Sequence, residues 1–247
     1  MNNSPTNMML NKNFNLESLR EKNVYWELEH NIVSEDAINS VWSIANAFKS
    51  QGNVKEIYKN KNYLVVIHDI QSYRDADYVI NYSELNIEHI RLSNKLDSHM
   101  LNKMLYLPPL IFDIDFNRNK ARTNSVITTF RNINVPLRRD LLNNLKSSNI
   151  EFKNFNNVFC EHKLRELYDN SKILINIHQT PYHHTLEEIR ILPALSRGMV
   201  VISEISPLSD MLPYSDYIIW TTYDDVIQTV KDTIKNYANI YKAIFIN

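Results

Sequence analysis

The residues best suited to chemistry lie in one stretch, 172–204, where polar side chains follow two apolar runs. Asn176 and His178 come after Ile173-Leu174-Ile175, an apolar run typical of a buried parallel strand. Glu204 ends the second apolar run, which begins at position 199. Because ligands bind at the carboxyl ends of strands in open α/β sheets, we expect Asn176, His178 and Glu204 to meet at a ligand edge.

A helix is predicted between these two strands. Thr185 stands where an N-cap would stand, Glu187 and Glu188 fall in the first turn, and Gly198 takes the C′ position. Glu187 and Arg190 are three residues apart and can form an ion pair. That pair is either a surface salt bridge of little energetic value or part of a binding site.

The pattern NIHxxxxxxTLEEIRILPALSRGMVVISE resembles the donor-binding domain of the GT-B glycosyltransferases, of the kind found in glycosyltransferase families 1 and 4. The resemblance covers about residues 125–241. It implies two facing Rossmann-like domains and transfer of a sugar from a nucleotide-activated donor. Many retaining members carry a ribose-binding Glu where this chain has Pro193, so the resemblance leaves Glu187, Glu188 or a different donor geometry for that role. The donor-binding residues that it implies are Asn176, His178, Glu187, Glu188, Arg190 and Glu204.

Three arginines stand at the same predicted edge. Arg131 follows the predicted strand 125–130, and Arg138 and Arg139 open the helix predicted to begin at Pro136. Guanidinium groups near a helix N-terminus suit a diphosphate, and GT-B enzymes commonly place Arg or Lys there. The alternative is a solvated basic helix face.

Histidines raise the question of metal binding. His178, His183 and His184 lie within seven residues, but the last two are adjacent in a loop and have no cysteine nearby, so we predict no metal site. We expect His183 and His184 to contact the acceptor or the sugar. Asp113-Ile114-Asp115 resembles the Asp-x-Asp metal motif of the other large glycosyltransferase fold. A metal-dependent enzyme is therefore the alternative to the metal-independent, cofactor-free one that we favour.

A general base is predicted in the N-terminal half. His68 and Asp69 follow the apolar run 63–67, the strongest strand candidate before position 110. A histidine there can accept a proton from an acceptor hydroxyl. The alternative is a polar strand cap.

The elements that must position these residues suggest two domains of an α/β protein. The regular alternation after position 124 predicts a parallel sheet with helices on both faces, and Pro108-Pro109 suits an interdomain connection. We therefore predict a reduced, acceptor-side domain at 1–110, with a loose tail at 1–14, and a donor-binding domain at 111–247. In the first domain we expect a helix at 34–52 and short strands at 55–58, 63–67, 78–82 and 87–92. In the second we expect helices at 136–146, 161–170 and 224–238.

Composition narrows the function classes. With 27 basic and 28 acidic residues, the chain gives no reason to expect nucleic acid as a partner. No apolar run approaches the roughly 20 residues of a membrane span, the N-terminus does not resemble a secretory signal, and Cys160 is the one cysteine. These features favour the cytoplasm. Abundant Asn, Lys, Ile and Tyr indicate an AT-rich genome, microbial or viral.

Glycine is scarce, with Gly52 and Gly198 the two examples. Phosphate-cradling loops of the Walker or dinucleotide type need several glycines in a short span, so neither loop is present. The sequence thus favours a glycosyltransferase that acts on a nucleotide sugar and a glycan or other hydroxyl acceptor. A noncatalytic nucleotide- or glycan-binding module is the second hypothesis.

Overall fold

The structure is a computed structural model that divides into two compact units, Met1–Pro109 and Leu110–Asn247. It describes residues 24–27, 56–60, 63–67, 74–75, 77–94, 96–106, 112, 114–116, 121–156, 158, 160–179 and 186–246. Several predictions lie outside these residues: the helix at 34–52, the cap Thr185, and the site residues His68, Asp69, Asp113, His183 and His184.

The first unit contains a parallel sheet and a separate hairpin. Its parallel sheet has the order β1-β4-β5, and β2 pairs with β3 in antiparallel register. Val79, Ile90 and Met104 belong to the core that the helices form over this sheet. The elements are β1 (Val24–Glu27), β2 (Glu56–Asn60), β3 (Tyr63–Ile67), β4 (Tyr78–Asn81), α1 (Glu84–Ser93), α2 (Ser98–Asn102) and β5 (Met104–Tyr106).

One strand prediction in this unit is wrong. The segment 87–92 is part of helix α1, not a strand. The hydroxyl of Ser83 accepts a hydrogen bond from the backbone N–H of Asn86, which caps the helix and commits the segment to helical geometry. Ile87 and Ile90, three residues apart, are buried on one side of that helix, so the apolar residues that suggested a strand belong to a helical stripe.

The second unit is an α/β domain built on a five-stranded parallel sheet, as the alternation of strands and helices predicts. The strand order is β10-β9-β8-β6-β7, and every neighbouring pair is parallel. The elements are β6 (Asn124–Thr128), α3 (Pro136–Ser147), β7 (Phe152–Asn154), α4 (Glu161–Asp169), β8 (Ser171–Asn176), α5 (Glu188–Ser196), β9 (Val200–Glu204), β10 (Ile218–Thr221), α6 (Val226–Lys235) and α7 (Tyr237–Phe245), with 3-10 turns at Ser209–Met211 and Ser215–Tyr217.

The order of strands places a switch point between β6 and β8. From β6 the chain crosses to β7 on one side, and after α4 it returns to β8 on the other side of β6. Ligands in open α/β sheets bind outside the carboxyl ends of the strands at such a point. The residues that follow Thr128 and Asn176 therefore occupy the expected binding edge.

Two helices at the end of the chain replace the single predicted one. The helix expected at 224–238 ends at Lys235, and α7 begins at Tyr237 after a break at Asn236. The hydroxyl of Tyr241 in α7 donates to the backbone oxygen of Phe116, and the ring of Phe245 packs on the ring of Phe116 with centroids 5.0 Å apart.

No helix of the described residues is long and apolar enough to cross a membrane.

Gly198 follows the cap of α5, as predicted, and the structure shows why glycine is needed there. Its φ is +67°, and a Cβ at this position would lie 2.7 Å from the backbone oxygen of Phe116. We therefore expect Gly198→Ala to lower the free energy of unfolding by more than the roughly 1 kcal/mol typical of a left-handed alanine. Urea denaturation measures this change.

A matched control separates the steric contact from the backbone preference. Asn149 also has a positive φ, 55°, and lies exposed after α3. Asn149→Ala carries the backbone cost alone, so its loss of stability should be the smaller one. Equal losses in the two variants would show that the contact with Phe116 adds nothing.

Candidate functional site

Arg190 lies at the centre of a polar network at the carboxyl edge of the sheet. Its Nη1 donates to Oδ1 of Asn176, the last residue of β8, over 3.2 Å. Asn176 in turn donates from Nδ2 to Oγ of Ser203 on β9, over 3.1 Å. Asn176 and Ser203 are register partners and both are fully buried. Side-chain hydrogen bonds thus connect the end of β8 with β9 and with α5, the helix that lies between these strands in the chain.

Glu187 connects Arg190 to a second arginine. One carboxylate oxygen lies 2.9 Å from Nη1 of Arg190, and the other accepts from Nη2 of Arg138 over 3.0 Å. The side chains of Arg138, Glu187 and Arg190 are 0%, 7% and 14% exposed. The sequence alone is compatible with an exposed, weak salt bridge between Glu187 and Arg190. In the structure this salt bridge is buried.

The three arginines do not form one solvent-facing cluster, which corrects that expectation. Arg138 points into the domain because it shares the inward stripe of α3 with Leu141 and Leu145, and its guanidinium lies 4.9 Å from the ring centroid of Phe130. Arg139, one residue later, is exposed beside Asp140. Arg138 therefore contacts Glu187 from inside the domain, and its sequence-based role in donor binding stays a prediction.

Arg131 has a different setting from Arg138. It is exposed in the segment that follows β6, at the switch point. Its sequence-based role in binding a diphosphate stays a prediction that its location permits.

His178 and Glu204 also meet at this edge, as their positions after neighbouring strands predicted. The carboxylate of Glu204 accepts from the backbone N–H of His178 over 3.0 Å. The Nε2 atom of His178 lies 3.4 Å from the backbone oxygen of Ile205 and 3.5 Å from Oγ of Ser206. His178 is 1% exposed, so in this conformation its ring fixes the segment after β9.

The two glutamates considered for a ribose are both buried. Glu188 is fully buried in the first turn of α5, and Glu187 is held by two guanidinium groups. Pro193, at the position of the family glutamate, is buried within α5. Neither glutamate therefore presents an exposed carboxylate to a ligand at this edge.

Two site residues were missed by sequence reasoning. Ser203 lies in the VISE run, where its polar side chain within an apolar strand was the available signal. Tyr223 donates its hydroxyl to the backbone oxygen of Leu137 at the start of α3, over 2.8 Å. Burial, followed by the charges of Asp140 and Glu204 and then of Asp224, raises the pKa of Tyr223, so the hydroxyl stays protonated as a donor.

Asp115 of the Asp-x-Asp motif lies at the opposite edge of the sheet. It accepts from Nη2 of Arg197 over 3.1 Å, and Arg197 also binds Asp169 through Nε over 2.7 Å. Arg197 caps the end of α5 and Asp169 ends α4, both on the amino side of the strands that follow. Asp115 thus belongs to an ion-pair cluster with Arg197 and Asp169 that lies away from the carboxyl edge. No group of three metal-ligating side chains occurs within the described ranges.

Comparison with known proteins gives limited likenesses. No family model matches the chain. The uncharacterised protein R358 of Acanthamoeba polyphaga mimivirus is 26% identical over 78 residues, which span 30% of this chain and 28% of that protein. The crystal structure of an α1,3-fucosyltransferase with GDP-fucose is similar with a TM-score of 0.46 and 13% identity, over 91% of this chain and 80% of that one. The match to the viral protein thus covers less than a third of its length.

Proposed function

We propose that this chain is a glycosyltransferase that moves a sugar from a nucleotide-activated donor to a hydroxyl acceptor. The observation that carries the proposal is the anchoring of Arg190 between Asn176 and Glu187 at the carboxyl edge. The motif that resembles GT-B donor-binding domains supplies all three residues.

The geometry suits stabilisation of a departing diphosphate. Arg190 uses one guanidinium nitrogen for both of its contacts, and within the described part of the chain its Nε and Nη2 atoms make no further hydrogen bond. A planar guanidinium held on one side is already oriented to bind phosphate oxygens with the other side. The N-terminus of α5 adds positive potential at the same place. Fixed charge of this kind lowers the barrier because charge grows on the leaving group in the transition state.

Activation of the acceptor is assigned by sequence alone. Within the proposal, His68 with Asp69 acts as the base, and His183 and His184 contact the acceptor or the sugar. Arg131 and the exposed Arg139 are additional cations near the donor. A nucleotide sugar and a glycan are the substrates, and no cofactor is needed.

Metal independence is part of the proposal and is supported by the position of Asp115. Its carboxylate is paired with Arg197 on the amino side of the sheet, whereas the proposed phosphate site is the carboxyl edge around Arg190. In this position the Asp115 side chain, which is 55% exposed, would hold a metal ion on the amino side of the sheet, away from the proposed phosphate site.

The experiment is a donor-consumption assay with UDP-, GDP- and ADP-sugars, in chelator and again with Mn²⁺. We expect release of nucleoside diphosphate from one donor class in chelator, increased by an added glycan acceptor. Release that requires Mn²⁺ would favour the Asp-x-Asp alternative. Tight binding of a nucleotide with no release under either condition would favour the noncatalytic binding module.

A further inference from the structure

Thr129, the residue after β6, has a buried hydroxyl without a hydrogen-bond partner among the described residues. Its neighbour Thr128 is satisfied, because its hydroxyl donates to Oδ1 of Asn154 over 2.8 Å. A buried hydroxyl that makes no hydrogen bond destabilises a protein. A ligand bound at this edge of the sheet would supply a hydrogen-bond partner.

The pairing of β6 with β8 ends two residues before Thr129 and Asn176. Ile127 pairs with Leu174 across β6 and β8, so the register continued by two residues sets Thr129 opposite Asn176. Register partners share a face of the sheet and lie about 4.8 Å apart. Asn176 is in turn the partner of Ser203 on β9. Continued in this way, the register sets Thr129, Asn176 and Ser203 side by side at the ends of β6, β8 and β9, and Arg190 donates a hydrogen bond to Asn176.

The unpaired hydroxyl therefore follows a strand at the switch point, opposite the residue that Arg190 contacts. Thr129 is partly buried, and its hydroxyl can adopt other staggered positions by rotation about χ1. Gln179, three residues beyond Asn176, has a buried Oε1 that also lacks a partner in the described part of the chain. Both residues follow the two strands that flank the switch point.

We propose that the hydroxyl of Thr129 donates a hydrogen bond to a phosphate oxygen that Arg190 binds, and that Thr129 thereby sets the position of the diphosphate. An anionic oxygen beside the guanidinium is the acceptor that best fits a hydroxyl in this setting. The inference rests on the proposed function, since it names a further residue for the same site. It also applies to a nucleotide-binding module without transferase activity.

The test compares two variants of Thr129 by calorimetric titration with UDP, GDP, ADP and inorganic pyrophosphate. Thr129→Val keeps the shape and removes the hydroxyl, whereas Thr129→Ser keeps the hydroxyl. We expect Thr129→Val to weaken the ligand that the wild type binds by about tenfold or more, the loss of one hydrogen bond to a charged group. Thr129→Ser should bind within about threefold of wild type.

Thr128→Val is the matched control, because it removes a hydroxyl one residue away that is bonded to Asn154. It should lower the melting temperature and leave the affinity unchanged, while Thr129→Val should leave the melting temperature unchanged or raise it. A pyrophosphate affinity that falls in parallel with that of the nucleotide assigns the contact to the phosphates. A nucleotide affinity that falls alone would contradict that assignment.

The outcomes separate this inference from the proposed function. Normal binding by Thr129→Val overturns the inference and leaves the transferase proposal standing. Weak binding by Thr129→Val in a protein that consumes no nucleotide sugar supports the inference and overturns the transferase proposal. A wild-type protein that binds none of the four probes overturns both.

Discussion

Glu187→Ala is expected to lower the free energy of unfolding by about 3–5 kcal/mol, the range for removing one partner of a buried ion pair. Arg138 and Arg190 share this carboxylate, and neither guanidinium is well exposed. The variant leaves two positive charges in the domain without the carboxylate that they share. Urea denaturation followed by circular dichroism measures the change.

An exposed ion pair in the same domain provides the control. Arg139 and Asp140 lie 3.3 Å apart with side chains more than half exposed. Asp140→Ala should therefore cost less than about 1 kcal/mol. If Glu187→Ala is no more destabilised than Asp140→Ala, the buried network does not stabilise the domain.

Arg190→Gln is expected to reduce turnover of the nucleotide sugar by about a hundredfold or more. The reason is that the variant loses a fixed positive charge at the place where charge develops on the leaving diphosphate, an effect typically of this size. Glutamine keeps a hydrogen-bonding side chain and removes the charge. The measurement is the turnover rate at saturating donor, below the melting temperature of the variant.

Stability must be measured alongside activity in this variant. If the ion pair of Arg190 with Glu187 were exposed, its loss would hardly change the free energy of unfolding. However, Arg190 is 14% exposed and is paired with a buried carboxylate. We therefore expect a lower melting temperature as well. Arg91→Gln removes a positive charge whose side chain is 52% exposed on α1, outside the proposed site, and it should change neither property. Turnover near wild type in folded Arg190→Gln would remove Arg190 from the site.

The strands of the second unit could be predicted from sequence because buried parallel strands are continuous apolar runs. Ile173, Leu174 and Val201, for example, are all buried in β8 and β9. The same reasoning failed at 87–92, where an apolar helix stripe resembles a short strand. There the Ser83 cap was the deciding signal.

The site could be predicted in part. The convergence of Asn176, His178 and Glu204 followed from strand ends that meet at one edge. The burial of Arg138 was not predicted because a charged residue is expected outside. Its spacing from Leu141 and Leu145 was the available signal. The role proposed for Thr129 could not be predicted, because it depends on the register between β6 and β8, which no local sequence pattern contains.

The central claim is that the carboxyl edge around Arg190 binds the diphosphate of a nucleotide sugar without a metal ion. Calorimetric titration of UDP, GDP and ADP into wild type and Arg190→Gln, in chelator, tests it most directly. We predict that one of the three nucleotides binds wild type, and that Arg190→Gln binds it at least about tenfold more weakly, the loss of a charge-assisted hydrogen bond. Equal affinity in the two proteins, or binding that appears only when Mn²⁺ is added, would contradict the claim.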